Sequence, residues 1–336
     1  MGSVAVMMAA LLAGCGEIDS AGGAAEDVGE AEQGLSGPTV VAWSDVGGLL
    51  QSTGNLYWTA NSFSEFGGYG ARVLRAAKGN VPGSELTLYQ ETSSTPVRFG
   101  DITYASPGGV FYGYFVADYN FGASSQIKRV PLTGGAAIVM ATSPAAIASR
   151  QTLDNDGTWL FWADAAGLYK MPIGGGAPTT LAAVSNIVSV GLDANSVYFT
   201  NRNAIFSVPK AGGAVTQVAS PTGVWPINAI FIQPGSPTTI YWAEEARVVA
   251  KRPIGGVTTI VQSANDSWRS TSVSFDGSRV LWTECPVLAA VNCTAKSKLG
   301  SATPISVAAG VGAGYIQGDA SQFFYGNTSA LYRVTY

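Results

Sequence analysis

Histidine is absent from this sequence, and charged residues are scarce. None of its 336 residues is histidine, and only 12% are Asp, Glu, Lys or Arg. A chain without histidine cannot form a Ser-His-Asp triad, a Cys-His pair or a histidine-ligated metal site. We therefore expect the protein not to be an enzyme and to carry no cofactor, although carboxylate or Ca²⁺ chemistry remains open. The net charge of −4 argues against a basic groove and thus against a nucleic-acid partner.

The first residues have the pattern of an export signal. An apolar run from Val4 to Leu12 has the length of a signal-peptide core and is too short to span a bilayer. The tetrad Leu12-Ala13-Gly14-Cys15 that follows resembles the lipobox of bacterial lipoproteins, which implies a lipid on Cys15 and attachment to a membrane of the cell envelope. An ordinary export signal and a core helix containing a cysteine are the alternatives. We expect a lipoprotein of the outer membrane, on its periplasmic or its outer side.

The segment after the signal and the two remaining cysteines fit an exported protein. Residues 16–37 are acidic and rich in Gly and Ala, which predicts a disordered tether between residues 1–15 and a domain at 38–336. With Cys15 carrying lipid, Cys285 and Cys293 are left to form a disulfide in an oxidising compartment.

A repeated unit fills the rest of the chain. Each unit has a hydrophobic strand, a turn, a strand with an aromatic or apolar pair, a third strand, and in four units a Gly-Gly turn before a fourth strand. The pairs are Tyr57-Trp58, Phe111-Tyr112, Phe161-Trp162, Tyr198-Phe199, Tyr241-Trp242, Leu281-Trp282 and Phe324-Tyr325. This repeat predicts an all-β protein, a β-propeller of seven four-stranded blades, with six blades as the alternative count. The last unit lacks a fourth strand, so we expect the segment 38–43 to close the ring, with residues 39–43 paired with 331–335.

The repeat also resembles the YWTD family of propellers. The segments that carry the resemblance are "YWTA" at 57–60, "FWAD" at 161–164, "YFTN" at 198–201, "YWAE" at 241–244 and "LWTE" at 281–284. The resemblance implies a propeller architecture and a binding role rather than a reaction. Members of that family with six blades are typical, whereas seven units are counted here.

Two sets of carboxylates are candidate metal ligands. Asp154 and Asp156 lie in a D-x-D-G pattern that suits a Ca²⁺ loop, but the same turn recurs in other units, which favours a purely conformational role. Asp164, Glu244 and Glu284 follow the aromatic pairs. They form either a ring that lines a channel or a set of acceptors that hold neighbouring blades together.

Two long connections interrupt the repeat and predict a binding surface. In units 1 and 2 the connection after the aromatic pair spans 60–71 and 114–125, and the disulfide segment occupies the equivalent place in unit 6. Aromatic residues on loops of a rigid scaffold often bind ligands. The candidates are Phe63, Phe66, Tyr69, Tyr114, Phe115, Tyr119 and Phe121. We expect a non-catalytic platform for a protein or carbohydrate ligand. The alternatives are a propeller enzyme that uses carboxylates and a metal, and an envelope-assembly scaffold.

Overall fold

The fold was analysed in a computed structural model. It describes residues 38–42, 45–52, 54–63, 68–79, 81–143, 146–147, 151–245, 248–263, 268–286, 293–311, 314–319, 321–326 and 330–335. Cys15 and the predicted tether lie outside these residues. Within the described part, helical structure is limited to two short 3-10 turns, Pro107–Gly109 and Asn120–Gly122, and no helix there is long and apolar enough to cross a membrane.

Twenty-eight strands are found in the described residues. In chain order they are β1 (Thr39–Ala42), β2 (Asp45–Gln51), β3 (Asn55–Phe63), β4 (Tyr69–Ala77), β5 (Leu86–Ser93), β6 (Val97–Ala105), β7 (Tyr112–Tyr119), β8 (Ser124–Pro131), β9 (Ile138–Ser143), β10 (Leu153–Asn155), β11 (Trp159–Ala163), β12 (Leu168–Pro172), β13 (Thr179–Ala182), β14 (Ser189–Leu192), β15 (Ser196–Thr200), β16 (Ile205–Pro209), β17 (Thr216–Ala219), β18 (Ile227–Gln233), β19 (Thr239–Glu244), β20 (Val248–Pro253), β21 (Thr259–Ser263), β22 (Trp268–Phe275), β23 (Arg279–Pro286), β24 (Cys293–Leu299), β25 (Ile305–Val311), β26 (Ile316–Asp319), β27 (Gln322–Gly326) and β28 (Leu331–Thr335).

These strands form seven four-stranded antiparallel sheets, which are the blades of a ring. Blade 1 contains β2 to β5, and each later blade takes the next four strands in order, up to β22 to β25 in blade 6. Blade 7 has the order β1-β28-β27-β26, so the strand nearest the N-terminus supplies its outer edge. The register pairs Thr39 with Arg333 and Ala42 with Leu331. The predicted seven-bladed propeller and its closure by the N-terminal strand are therefore confirmed.

The hydrophobic core lies between blades. Seven clusters of buried apolar residues are present, and each mixes residues of two neighbouring blades. Successive side chains of a strand point to opposite faces, so the two members of an aromatic pair enter different clusters. Tyr57 packs between blades 1 and 2, whereas Trp58 packs between blades 7 and 1. Each pair thus connects its blade to both neighbours.

The predicted pair of blade 2 was wrong by three residues. Phe111 precedes β7 and is 55% exposed, while Tyr114 and Phe115 are fully buried and divide between the two neighbouring clusters. Phe115 lies opposite Ile102, as Trp58 lies opposite the apolar Leu49 in blade 1. The pair of this blade is therefore Tyr114-Phe115, because these side chains meet the neighbouring blades.

The predicted glycine turns join the third and fourth strands. In blades 3 and 4 the turns contain Gly175 and Gly212, with φ values of 111° and 96°. Their backbone N–H groups donate to the carbonyls of Pro172 and Pro209, each at the end of a third strand. Glycine is favoured here because a side chain would be strained at such positive φ angles.

Candidate functional site

The long connections predicted in blades 1 and 2 are mostly strand. β3 and β4 pair as far as Phe63 opposite Tyr69, and β7 and β8 pair as far as Tyr119 opposite Ser124. Tyr114 and Phe115 were therefore wrongly placed on an exposed loop, because they occupy the buried centre of β7. Phe66 and the side chain of Phe63 lie outside the described residues.

Three of the predicted aromatic residues, Tyr69, Tyr119 and Phe121, lie where blades 1 and 2 meet. The rings of Tyr69 and Phe121 meet edge to face with centroids 6.4 Å apart, and the Arg98 guanidinium lies 5.8 Å from the Phe121 centroid. Phe121 is 70% exposed, so its ring is accessible to a partner. Tyr119 instead donates its hydroxyl to Glu91 at 2.9 Å.

Glu91 is the centre of a polar group on the same blades. It accepts hydrogen bonds from Lys128 at 2.7 Å and from Tyr89 at 3.1 Å, in addition to Tyr119. Burial alone would raise the pKa of the Glu91 carboxyl, but the Lys128 and Tyr119 hydrogen bonds outweigh it and leave the pKa lowered. Burial and the nearby carboxylate raise the pKa of Tyr89 to about 12. These groups are satisfied by one another, which suits a structural link between the blades.

The predicted disulfide is present. Cys285 near the end of β23 is bonded to Cys293 at the start of β24, and both residues are fully buried. The bond joins the ends of two paired strands in blade 6. Residues 287–292 between them lie outside the described residues.

The carboxylates that follow the aromatic pairs serve as internal acceptors. Asp164 accepts backbone N–H groups of Ala166 and Gly167 together with the Ser143 hydroxyl. Glu244 and Glu284 each accept the indole N–H of a tryptophan two residues earlier, at 2.7 Å. All three carboxylates are thus internal acceptors, as in the second of the two interpretations, and the bond from Ser143 to Asp164 joins blade 2 to blade 3.

Asp156 belongs to a repeated turn. Its Oδ1 accepts the backbone N–H groups two and three residues later, and Asp193, Asp276 and Asp319 make the same pair of bonds in blades 4, 6 and 7. The carboxylate thereby fixes the turn between the first two strands of a blade. Within the described residues, no cluster of three or more acidic, cysteine or histidine side chains is arranged to hold a metal ion.

Asp154 differs from Asp156 because it lines the central channel. A cavity of about 190 Å³ lies there, bordered by the first strands of blades 1 to 5 and 7. Its polar lining includes Asp101, Thr103, Asp154 and Gln317, and no Lys or Arg is among its described lining residues. The charge of Lys210, which pairs with Asp156 at 3.1 Å, acts on Asp154 from outside the lining. Asp154 uses Oδ1 to accept the Asn155 N–H at 2.8 Å, and no described donor reaches its Oδ2.

Asp101 is the second carboxyl of this cavity and was missed by the sequence analysis. It is 6% exposed, and its two oxygens accept the N–H groups of Ile102 and, in the next blade, Leu153, both at 3.0 Å. Burial raises the pKa of Asp101 to about 7, and burial likewise raises that of Asp154 to about 6. The channel therefore contains two carboxyl groups that titrate near neutral pH.

Comparisons with known proteins identify the fold and no family. No family model and no curated protein matches the chain. Virginiamycin B lyase from Staphylococcus aureus is similar in structure, with a TM-score of 0.61 and 13% identity over 90% of this chain and 99% of the lyase. YCF48 from Cyanidioschyzon merolae has a TM-score of 0.63 and 15% identity over 90% of this chain and 99% of YCF48. A chain of the nidogen/laminin complex, a YWTD-like propeller neighbour, has a TM-score of 0.52 and 11% identity over 80% of this chain and 94% of that chain.

At such identities the likeness shows the propeller fold alone, but it overturns one expectation. The prediction that the protein is not an enzyme was wrong, because virginiamycin B lyase is an enzyme built on a similar ring. The lack of histidine excludes particular catalytic groups and does not exclude catalysis by carboxyls.

Proposed function

We propose that this protein is a lipid-anchored propeller of the cell envelope that binds a small organic cation in its central channel. The observation that carries the proposal is the pair Asp101 and Asp154 in a cavity with no cationic side chain among its described lining residues. Two carboxyls in one confined space repel each other when both are ionised, and a bound cation relieves that repulsion. The lipid anchor is supported by the residues that end at Cys15.

The cavity favours a molecule of limited size. Its 190 Å³ corresponds to about six water molecules at the volume of liquid water. A diamine or a choline-sized ligand is compatible with this volume, and Asp154 offers it an oxygen without a described protein donor. The polar Thr103 and Gln317 border the same space and can contact the rest of the ligand.

The test is calorimetric titration with putrescine, using 1,4-butanediol as an uncharged probe of similar length. We expect putrescine to bind at pH 8 and the diol to bind at least tenfold more weakly. Binding of putrescine should weaken at pH 5, because both raised pKa values lie above that pH and the carboxyls become protonated. Asp154→Asn should weaken binding roughly 10- to 100-fold, the value of a charge-assisted hydrogen bond.

The matched control is Glu85→Gln, which removes an acidic side chain from the turn before β5, outside the channel lining. This variant should bind putrescine as the wild type does. Equal binding of the diol, or an Asp154→Asn variant with unchanged affinity, would contradict the proposal. So would the absence of any saturable putrescine binding.

Acid–base catalysis on the channel-bound molecule is a second candidate function. It is favoured by the two carboxyls, which can donate and accept a proton near pH 6 to 7. A histidine-to-alanine variant of the Staphylococcus lyase is catalytically inactive, and this chain has no histidine, so its chemistry would require other groups. NMR of a bound amine over time tests this function: a product that Asp154→Asn fails to form supports it, and an unchanged spectrum at saturation argues for binding alone.

A further inference from the structure

A second cavity lies between blades 3 and 4, apart from the channel. Its volume is about 500 Å³, within the range of small-molecule sites. It is bordered by the turn after β15, which contains Asn201, Arg202 and Asn203, and by the connection before β14, which contains Asn186. Pro226, which leads into β18, forms another part of its wall.

Arg202 is the cationic group of this cavity. Its backbone is fixed, because its N–H donates to the Thr200 hydroxyl at 3.1 Å and its carbonyl accepts the Ile227 N–H at 2.8 Å. Its guanidinium has no hydrogen bond or ion pair with any described residue. The side chain thus presents several N–H donors from an anchored turn, the arrangement that binds carboxylates well.

The other polar groups of the cavity are three asparagine amides and the carboxylate of Asp164. Asn201 directs its Oδ1 to the N–H groups of Asn203 and Ala204, at 3.2 and 3.3 Å, which leaves its amide NH₂ available. The carboxylate of Asp164 is turned to the protein by its bonds to Ser143 and two backbone N–H groups. A ligand that supplies a carboxylate and several hydroxyl oxygens matches this set.

An exposed tryptophan precedes one wall residue of the cavity in the sequence, although it is not itself among the lining residues. Trp225 directly precedes Pro226 and is 51% exposed. Its loop is anchored on one side by Thr222, which donates its N–H and its hydroxyl to Glu244, and on the other by the Pro226 carbonyl, which accepts the Glu245 N–H. An indole held at the surface offers a flat apolar face, to which the C–H face of a sugar ring can pack.

We propose that this cavity binds an acidic saccharide. The uronic carboxylate pairs with Arg202, the ring hydroxyls accept from and donate to the asparagine amides, and a sugar face lies against Trp225. The site shares no described lining residue with the channel cavity and does not depend on the function proposed for it.

Digalacturonic acid and its uncharged counterpart galactobiose are the probes, titrated against the full chain by NMR or calorimetry. We expect digalacturonate to bind with a Kd near or below about 1 mM. Galactobiose should bind about tenfold more weakly, and Arg202→Gln should weaken digalacturonate binding by roughly 10- to 100-fold, the value of a hydrogen bond to a charged group. Arg202→Lys should retain part of the affinity, and Trp225→Ala should also weaken binding.

Lys251→Gln is the control, because Lys251 is an exposed cation on β20 that is not part of the cavity lining. Lys251→Gln should bind digalacturonate with the affinity of the wild type. The Tm values of all variants should lie within a few degrees of the wild-type Tm. No saturable binding of digalacturonate would overturn the proposal, as would equal affinity in Arg202→Gln. If N-acetylglycine, a carboxylate without a sugar ring, binds equally well, the site is a general anion site and the saccharide assignment is wrong. Failure of these titrations leaves putrescine binding in the channel unaffected, so the two proposals are separately tested.

Discussion

Val41 gives a direct measure of how strongly the N-terminal strand closes the ring. Val41 is the extra residue of β1, because Val40 and Ala42 pair with two successive residues of β28. Its side chain is fully buried between blades 7 and 1. Val41→Ala removes two methyl-sized groups at about 0.8 kcal/mol each and leaves a small cavity. We expect the free energy of unfolding to fall by about 2 kcal/mol.

The assay is thermal and urea unfolding of the full chain, with Thr39→Ala as the control. Thr39 lies on the same strand but is exposed, so its replacement should change stability by less than about 0.5 kcal/mol. At about 2.1 cal/mol/K per residue, a domain of roughly 300 residues has an unfolding entropy of about 0.6 kcal/mol/K, so the loss at Val41 corresponds to a decrease in Tm of roughly 3 °C. Equal Tm values for the two variants would refute the reasoning that β1 packs as a structural part of blade 7.

Deletion of residues 38–42 is the stronger form of the same perturbation. It removes the buried Val41 and Ala42 and the hydrogen bonds between β1 and β28, together about 5 kcal/mol. That is comparable to the whole stability of many domains. It also exposes the edge of β28 to pairing with other chains. We expect unfolding or aggregation, and a soluble monomer with unchanged Tm would contradict the closure.

Three further outcomes are expected. Cys15→Ala should move the protein from the membrane fraction to the soluble fraction of a bacterial host, and wild-type protein that takes up no labelled palmitate would contradict the lipid anchor. Cys285→Ser should lower the free energy of unfolding by about 2–3 kcal/mol, because the bond closes a loop between residues eight apart; equal melting of the oxidised and reduced wild type would contradict this. The pKa of Asp101 is raised from 3.8 to about 7, so its contribution to stability is complete below pH 3.8 and is lost as the pH rises through 7. Asp101→Ser should flatten that part of the pH profile measured by urea unfolding, and a profile identical to wild type would be the contrary result.

Most of the fold could be predicted from the repeat, because each blade has the same pattern of strands and turns. Aromatic pairs, turn aspartates and Gly-Gly turns recur at related positions, and an incomplete last unit indicated the closing strand. The register of blade 2 was harder to predict, since its sequence contains two candidate pairs three residues apart, Phe111-Tyr112 and Tyr114-Phe115. A strand shifted by one residue exchanges its faces, so register depends on the partner strand. Here the apolar partner Ile102 opposite Phe115 decides it, and that information is not local in the sequence.

The candidate site was predicted less well, for a related reason. An aromatic residue in a strand and one in a loop look alike in the sequence, so Tyr114 could not be told from Phe121 before pairing was known. Asp101 escaped notice because a single aspartate in "VRFGDITYA" matches no catalytic motif. Its meaning depends on which residues of other blades surround it. Closure of the ring brings these residues together around the channel, although they are dozens of residues apart in the sequence.

Comparison among the blades explains why Asp101 points to function. It precedes the apolar residue opposite the second member of the aromatic pair, as Ser189 does in blade 4. The equivalent residues of the other blades are Gly48, Thr152, Ala229, Ser272 and Tyr315. Ser189 accepts the Ile230 N–H of the next blade at 3.2 Å, just as Asp101 accepts the Leu153 N–H. A hydroxyl therefore makes the link between blades without the cost of burying a charge. Ala229 and Gly48 show that a residue without any side-chain acceptor is also accommodated at this position. Since the other blades do without a carboxyl at this position, Asp101 supports the proposal of a cationic ligand in the channel that it lines.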